Sequence, residues 1–265
     1  MARAGESHLA RALRLVAAAF ALALSAASAL AQQTAPIPQL PPPILPGIGE
    51  IDPRTRVDIN ALPWRAIGKL QATTGNLRIN CTGTLVGPAT VLTAGHCVFN
   101  IRTQAYFPPS SLHFLIGYES GRYAGEARGT QLVVGPGYDP KRAAESFGSD
   151  WALVTLDRRL GTPDRVLTIR ETPPEIGMKA AIGGYSQDHP LLLTADAGCR
   201  VVALAVDPNG RRLLRHNCTG TEGSSGAPLL VQDDGVWHVG GVQVGAERGV
   251  AAGVAVMLDE VRKKL

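Results

Sequence analysis

Between about residue 62 and residue 256, short runs rich in Val, Leu and Ile alternate with Gly, Pro, Asn and Asp, and almost no segment sustains a 3.6-residue period. This pattern predicts an all-β domain. Thr84-Leu85-Val86 and Thr90-Val91-Leu92 flank a Gly87-Pro88 turn and read as one hairpin, while residues 151–156 and 236–244 read as buried strands. Only the last residues change character. Met257, Leu258, Val261 and Leu265 recur at helical spacing among Asp259, Glu260 and three cations, which predicts an amphipathic helix over 254–265. Some two hundred residues of short strands exceed one compact sandwich, so two packed antiparallel β-barrels or sheets are expected, over roughly 61–165 and 166–253, with a cleft between them. No tandem repeat points to a propeller or solenoid.

Upstream of this domain the pattern differs. Arg3, Arg11 and Arg14 precede an apolar stretch over residues 15–30, and Ala29-Leu30-Ala31 has the small-x-small form of a processing site, so residues 1–31 read as a signal peptide. The apolar stretch is short for a span and runs into a proline tract, which favours export without a stable membrane anchor. The expected location is secreted or periplasmic. Residues 32–60 read as a Pro-rich linker or a propeptide, since the prolines of 36–46 cannot donate a ladder of backbone hydrogen bonds. Removing residues 1–31 takes away three arginines and one glutamate, so the formal charge falls from +4 to +2. With no basic stripe interleaved with aromatics, nucleic acid is not an expected partner. Arg262-Lys263-Lys264 fits the end of a helix, where cations offset the macrodipole.

The four cysteines, Cys81, Cys97, Cys199 and Cys218, all follow the export signal, so an even count reads as two disulfides. Two apolar runs flank Asp207-Pro208-Asn209-Gly210, a turn signal, and folding about Pro208-Asn209 brings Cys199 and Cys218 opposite each other to within about one residue. Cys81 and Cys97 then pair, anchoring the neighbouring His96. No C-x-x-C pair or H-E-x-x-H helix occurs, so no metal and no cofactor are expected.

The densest chemistry lies in Thr221-Glu222-Gly223-Ser224-Ser225-Gly226-Ala227-Pro228, where a serine between glycines suits an exposed nucleophile on a tight turn. Ser225 is the candidate, being the serine followed by Gly226-Ala227-Pro228, and Ser224 supports the turn. His96, at the end of an apolar run, is the candidate general base, and Asp150, leading into a buried strand, the candidate orienting acid. The N–H groups of Gly223 and Ser225 are candidates for an oxyanion hole. Taken singly, each motif has a duller reading: a flexible Gly-Ser loop, a strand-initiating Asp, a core histidine. His8, His113, His189, His216 and His238 lack comparable settings and read as structural or exposed.

Together, Thr93-Ala94-Gly95-His96-Cys97, Asp150-Trp151-Ala152-Leu153 and Gly223-Ser224-Ser225-Gly226-Ala227-Pro228, in that order, resemble the chymotrypsin-like (trypsin-fold) serine peptidases over roughly residues 62–265. The resemblance extends to the secreted bacterial branch that includes the glutamyl endopeptidases. It implies a double β-barrel with His96 and Asp150 from the first barrel and Ser225 from the second, a protein or peptide substrate in the groove between, and a monomer. Thr219, Gln243 and Gly245 fall where the family builds its substrate pocket. Thr219 replaces the aspartate of tryptic members, Gln243 replaces a histidine of the glutamyl branch, and Ser224 replaces the aspartate used in trypsinogen-style activation. A catalytically silent peptide- or protein-binding module on the same fold is the alternative reading. An α/β-hydrolase is excluded because Ala227 breaks Gly-x-Ser-x-Gly and the order of the three residues is reversed.

Overall fold

A computed structural model describes residues 45–265 except 75 and 76. The expected signal peptide and most of the proline tract lie outside the described residues. The strands, in chain order, are β1 (Thr55–Arg56), β2 (Ile67–Thr74), β3 (Leu77–Gly87), β4 (Thr90–Thr93), β5 (Phe99–Asn100), β6 (Ala105–Tyr106), β7 (Leu112–Ile116), β8 (Gly125–Val134), β9 (Ala152–Leu156), β10 (Lys179–Gly184), β11 (Thr194–Val206), β12 (Arg212–His216), β13 (Pro228–Asp233), β14 (Val236–Ala246) and β15 (Gly253–Val256). One short helix, α1 (Asp259–Arg262), follows.

Two closed six-stranded antiparallel barrels result. The first runs β2-β3-β4-β9-β8-β7 and closes through pairing of β2 with β7. The second runs β11-β10-β13-β14-β15-β12 and closes through pairing of β11 with β12, with β1 added beside β11. Closure leaves each sheet without a free edge, and side chains alternating at period two fill the interior. In β7, Leu112, Phe114 and Ile116 all point into the first core, while His113 is only half-buried. Phe114 lies across that core because Gly68 faces it; a Cβ at residue 68 would come within 2.4 Å of the ring.

The hairpin of β11 and β12 shows how the second disulfide forms. Pairs from Ala203↔Arg215 to Val206↔Arg212 keep one register, and a bulge between Val201 and Ala203 then shifts it by one residue to Val201↔His216. Continued outward, the shifted register places Cys199 opposite Cys218, and their Cα atoms are 4.8 Å apart. Cys81 and Cys97 are also bonded, as the sequence predicts.

Two boundaries differ from the sequence reading. The helix expected over 254–265 is confined to Asp259–Arg262, because Gly253–Val256 is the strand that pairs with both β12 and β14 and so closes the second barrel. Met257, Leu258 and Val261 are buried, but Leu265 is exposed. The described part of the proposed linker, residues 45–60, packs on the second barrel. Gly47 donates to the Glu247 carbonyl and accepts from the Gly220 N–H at 3.1 Å, and Arg54, its side chain nearly fully buried, bonds the carboxylates of Asp52 and Asp188. That guanidinium holds Asp52 below the usual carboxylate range, and for Asp188 it outweighs the upward push of burial.

Replacing Arg54 by Ala strands both carboxylates, which are part-exposed, and is expected to cost about 1–3 kcal/mol in chemical denaturation at neutral pH. Because both pKa values are lowered in the folded state, the contribution is present above about pH 4 and lost as pH falls through those lowered values. An Arg54→Ala deficit of equal size at pH 3 and pH 7 contradicts this account.

Candidate active site

Antiparallel pairing of β4 with β9 sets Thr93 opposite Ala152, so the end of β4 and the start of β9 lie side by side. His96 follows β4 by three residues, on a 3-10 turn over Gly95–Val98, and Asp150 precedes β9 by two, after a 3-10 turn over Phe147–Ser149. Strand register alone therefore brings the two together. Asp150 is fully buried. Its Oδ1 accepts the His96 backbone N–H at 2.8 Å, and its Oδ2 lies 2.7 Å from His96 Nδ1. Such a bond holds the ring with its other nitrogen facing outward. A side chain at Gly95 would meet Asp150 Oδ1 and the Tyr138 ring, both at 3.0 Å. Burial pulls the His96 pKa down, but the charge of Asp150 and its hydrogen bond outweigh burial, so the net shift is upward. Tyr138, buried beside this pair, has its hydroxyl pushed up by burial and then by Asp150.

Ser225 sits on a turn held by bonds from Ser224 N–H to the Thr221 carbonyl and from Ala227 N–H to the Ser224 carbonyl, each 2.9 Å. Gly223 and Gly226 have φ of +89° and +80°, a region L side chains rarely adopt. The turn is fastened to the first barrel. Thr82 N–H donates to the Ser225 carbonyl at 2.9 Å, and a Cβ at Gly226 would come within 2.2 Å of Thr93 Oγ1. Among the described residues, neither Gly223 N–H nor Ser225 N–H has a protein acceptor.

Beside Ser225 lies a cavity of about 200 Å³ lined by Pro46, Thr221, Glu222, Ser224, Gln243, Val244, Gly245 and Ala246. Two of the candidate pocket residues, Gln243 and Gly245, are in this wall. Thr219 is not: it is buried behind the wall, with its N–H bonded to Asp196 Oδ2 at 2.9 Å. A larger cleft of about 360 Å³, lined by Gly148, Arg211, Met257 and Asp259 among others, contains none of His96, Asp150 and Ser225.

Two contributors escape the sequence reading. Pro46 reaches the wall because it pairs with Arg248 and Gly47 bonds Glu247, just beyond the end of β14, which no local pattern signals. His216 underlies the pocket. Its Nδ1 accepts the Cys218 N–H at 3.2 Å, so Nε2 carries the proton donated to Gln243 Oε1 at 2.6 Å. Burial pushes its pKa down to about 4, against the opposing effects of Gln243 and Asp196. Gln243 Nε2 in turn donates to the Gly245 carbonyl at 2.7 Å. The lining contains no Lys, Arg or His, and its charged member is the exposed Glu222. As for metals, Asp52, Asp188 and His189 converge, but Arg54 already occupies both carboxylates.

The geometry agrees with comparisons to known proteins. A curated relative, the glutamyl endopeptidase of Bacillus licheniformis, is 36% identical over 139 residues, spanning 52% of this chain and 41% of its own length. A solved Glu endopeptidase, in complex with MPD, superimposes with a TM-score of 0.67 at 23% identity over 82% of this chain and 96% of its own. The protease Anisep from Arthrobacter nicotinovorans gives 0.56 at 20% identity, over 73% and 90% of the two chains. These structural likenesses speak to the fold. The trypsin family model matches residues 53–261, most of the chain, and with that match the protein belongs to the trypsin family.

Proposed function

We propose that the protein is an exported serine endopeptidase that cleaves peptide bonds through an acyl-enzyme on Ser225. The observation that carries this reading is a buried Asp150 taking both the backbone N–H and Nδ1 of His96, while the Ser225 turn is fastened to the same barrel. Ser225 Oγ attacks the scissile carbonyl carbon as His96 Nε2 takes its proton, and the same imidazolium then protonates the leaving amine. Water repeats the sequence to release the acid. Asp150 orients the ring and stabilises its cationic form. The N–H groups of Gly223 and Ser225 stabilise the developing oxyanion. Export accords with two disulfides, which persist in oxidising compartments.

The pocket deepens this reading. Its floor, Gln243 held by a neutral His216, offers no cation to a P1 carboxylate and no anion to a P1 lysine or arginine. An uncharged P1 side chain is the best match, because a charge buried without a partner is costly.

Three measurements test the proposal. Ser225→Ala is expected to lower kcat on peptide substrates by about a millionfold and to abolish fluorophosphonate labelling without moving the thermal midpoint. Undiminished hydrolysis by this variant, or an unlabelled parent, overturns the assignment, the latter in favour of a silent binding module. Since catalysis needs the base form of His96 and its pKa is raised, kcat/KM should fall as pH drops through a midpoint above 6.5. In Asp150→Asn burial acts unopposed, so that midpoint moves down and kcat falls by about ten-thousand-fold; a midpoint unmoved by Asp150→Asn disproves the coupling. For substrates differing only at P1, Gln should exceed Glu in kcat/KM by at least about tenfold; a preference for Glu removes the neutral-pocket reading.

A further inference from the structure

Thr82 on β3 is fully buried, and all three of its hydrogen-bonding groups are engaged. Its N–H donates to the Ser225 carbonyl at 2.9 Å, and its hydroxyl donates to the Gly223 carbonyl at 2.9 Å. The same hydroxyl accepts the Tyr185 N–H at 3.0 Å, and its carbonyl accepts Thr93 Oγ1 at 2.8 Å. One residue of the first barrel thus grips the turn twice and ties it to the residue after β10. Gly184, the last residue of β10, leaves room for this: a Cβ there would lie 2.8 Å from Thr82 Oγ1.

These bonds bear on catalysis through peptide geometry. In a trans peptide the N–H points opposite the carbonyl of the preceding residue, so fixing a carbonyl aims the next N–H. Four consecutive carbonyls of the turn are each held: Glu222 by Gln187 N–H, Gly223 by the Thr82 hydroxyl, Ser224 by Ala227 N–H and Ser225 by Thr82 N–H. The peptides donating Gly223 N–H and Ser225 N–H alternate with the two that Thr82 holds. Glycine at 223, at positive φ, has no side chain to resist rotation of its flanking peptides. The hydroxyl of Thr82 supplies that resistance.

We infer that Thr82 is a positioning residue for the oxyanion hole, acting through its hydroxyl on the peptide that links the two donor peptides. The inference rests on the acyl-enzyme reading above. Valine has nearly the shape of threonine but can neither donate to the Gly223 carbonyl nor accept from Tyr185, so both groups are left buried and unpaired.

The test is steady-state kinetics on one peptide substrate, with folded active enzyme counted by fluorophosphonate titration. Thr82→Val is expected to lower kcat by about 10- to 100-fold with KM within about twofold, since misplaced oxyanion donors weaken the transition state and spare ground-state binding. Thr82→Ser, which keeps the hydroxyl, should stay within about threefold of the parent. If Thr82→Val does not fold, Thr82→Ala carries the same expectation. Parental kcat in the variant lacking the hydroxyl overturns the inference. So does a serine variant as impaired as valine, which assigns the effect to the methyl group. A parent that neither labels nor turns over instead removes the acyl-enzyme reading, and the role of Thr82 with it.

Discussion

Each barrel can satisfy its own backbone, but the turn that carries Ser225 is fixed against the barrel that carries His96 and Asp150 only along the seam where the two meet. That seam depends on buried hydrogen bonds running from Thr82 of β3 into the turn 221–227, with Thr93 of β4 holding the Thr82 carbonyl behind them. Buried polar groups must find partners. At this seam the partners belong to different barrels, so satisfying them fixes the relative placement of two otherwise independent closed sheets. The glycines at 184, 223 and 226 follow from the same constraint, since a Cβ at any of them would strike an atom on the far side of the seam or of the turn.

Within the first barrel a different economy applies. The pairing Thr93↔Ala152 needs no special chemistry, being the ordinary register of two buried strands, yet it delivers a histidine and an acid to one end of the sheet. The Cys81–Cys97 bond ties the histidine turn back to β3, the strand that carries Thr82. The pairing of His96 with Asp150 is thus inherited from structures that stabilise the fold in any case, and only the last few ångströms depend on side-chain hydrogen bonds.

Two histidines, His96 part-exposed and His216 buried, illustrate how environment divides one residue type. His96 meets a carboxylate that faces its ring, and its pKa rises. His216 meets an amide oxygen and a backbone N–H, and desolvation carries its pKa down to about 4. The first is thereby the more readily protonated, and the second remains a neutral prop under Gln243. The contrast also explains why Gln243 in the pocket wall is backed by an uncharged group.

Much of this was legible in the chain. Short apolar runs punctuated by turn residues disclosed an all-β fold, the motifs around His96, Asp150 and Ser225 stood out as candidates, and the spacing about Pro208-Asn209 foretold one disulfide, because strand length, tight turns and hairpin register are local properties. The helix boundary was misjudged because Gly253–Val256 has no local mark separating the sixth strand of a barrel from the start of a helix; its two partners, β12 and β14, decide. Pro46 in the pocket wall, Thr219 behind it, His216 beneath Gln243 and Thr82 under the turn 221–227 were hidden for the same reason. Each depends on a partner far away in the chain, and hydrogen bonding between distant segments leaves no periodic trace in either one. The sequence by itself determined the all-β class and where the His96, Asp150 and Ser225 motifs lie along the chain; the tertiary structure decided which residues meet, because the orientation of a buried peptide or imidazole is set by the group on its other side.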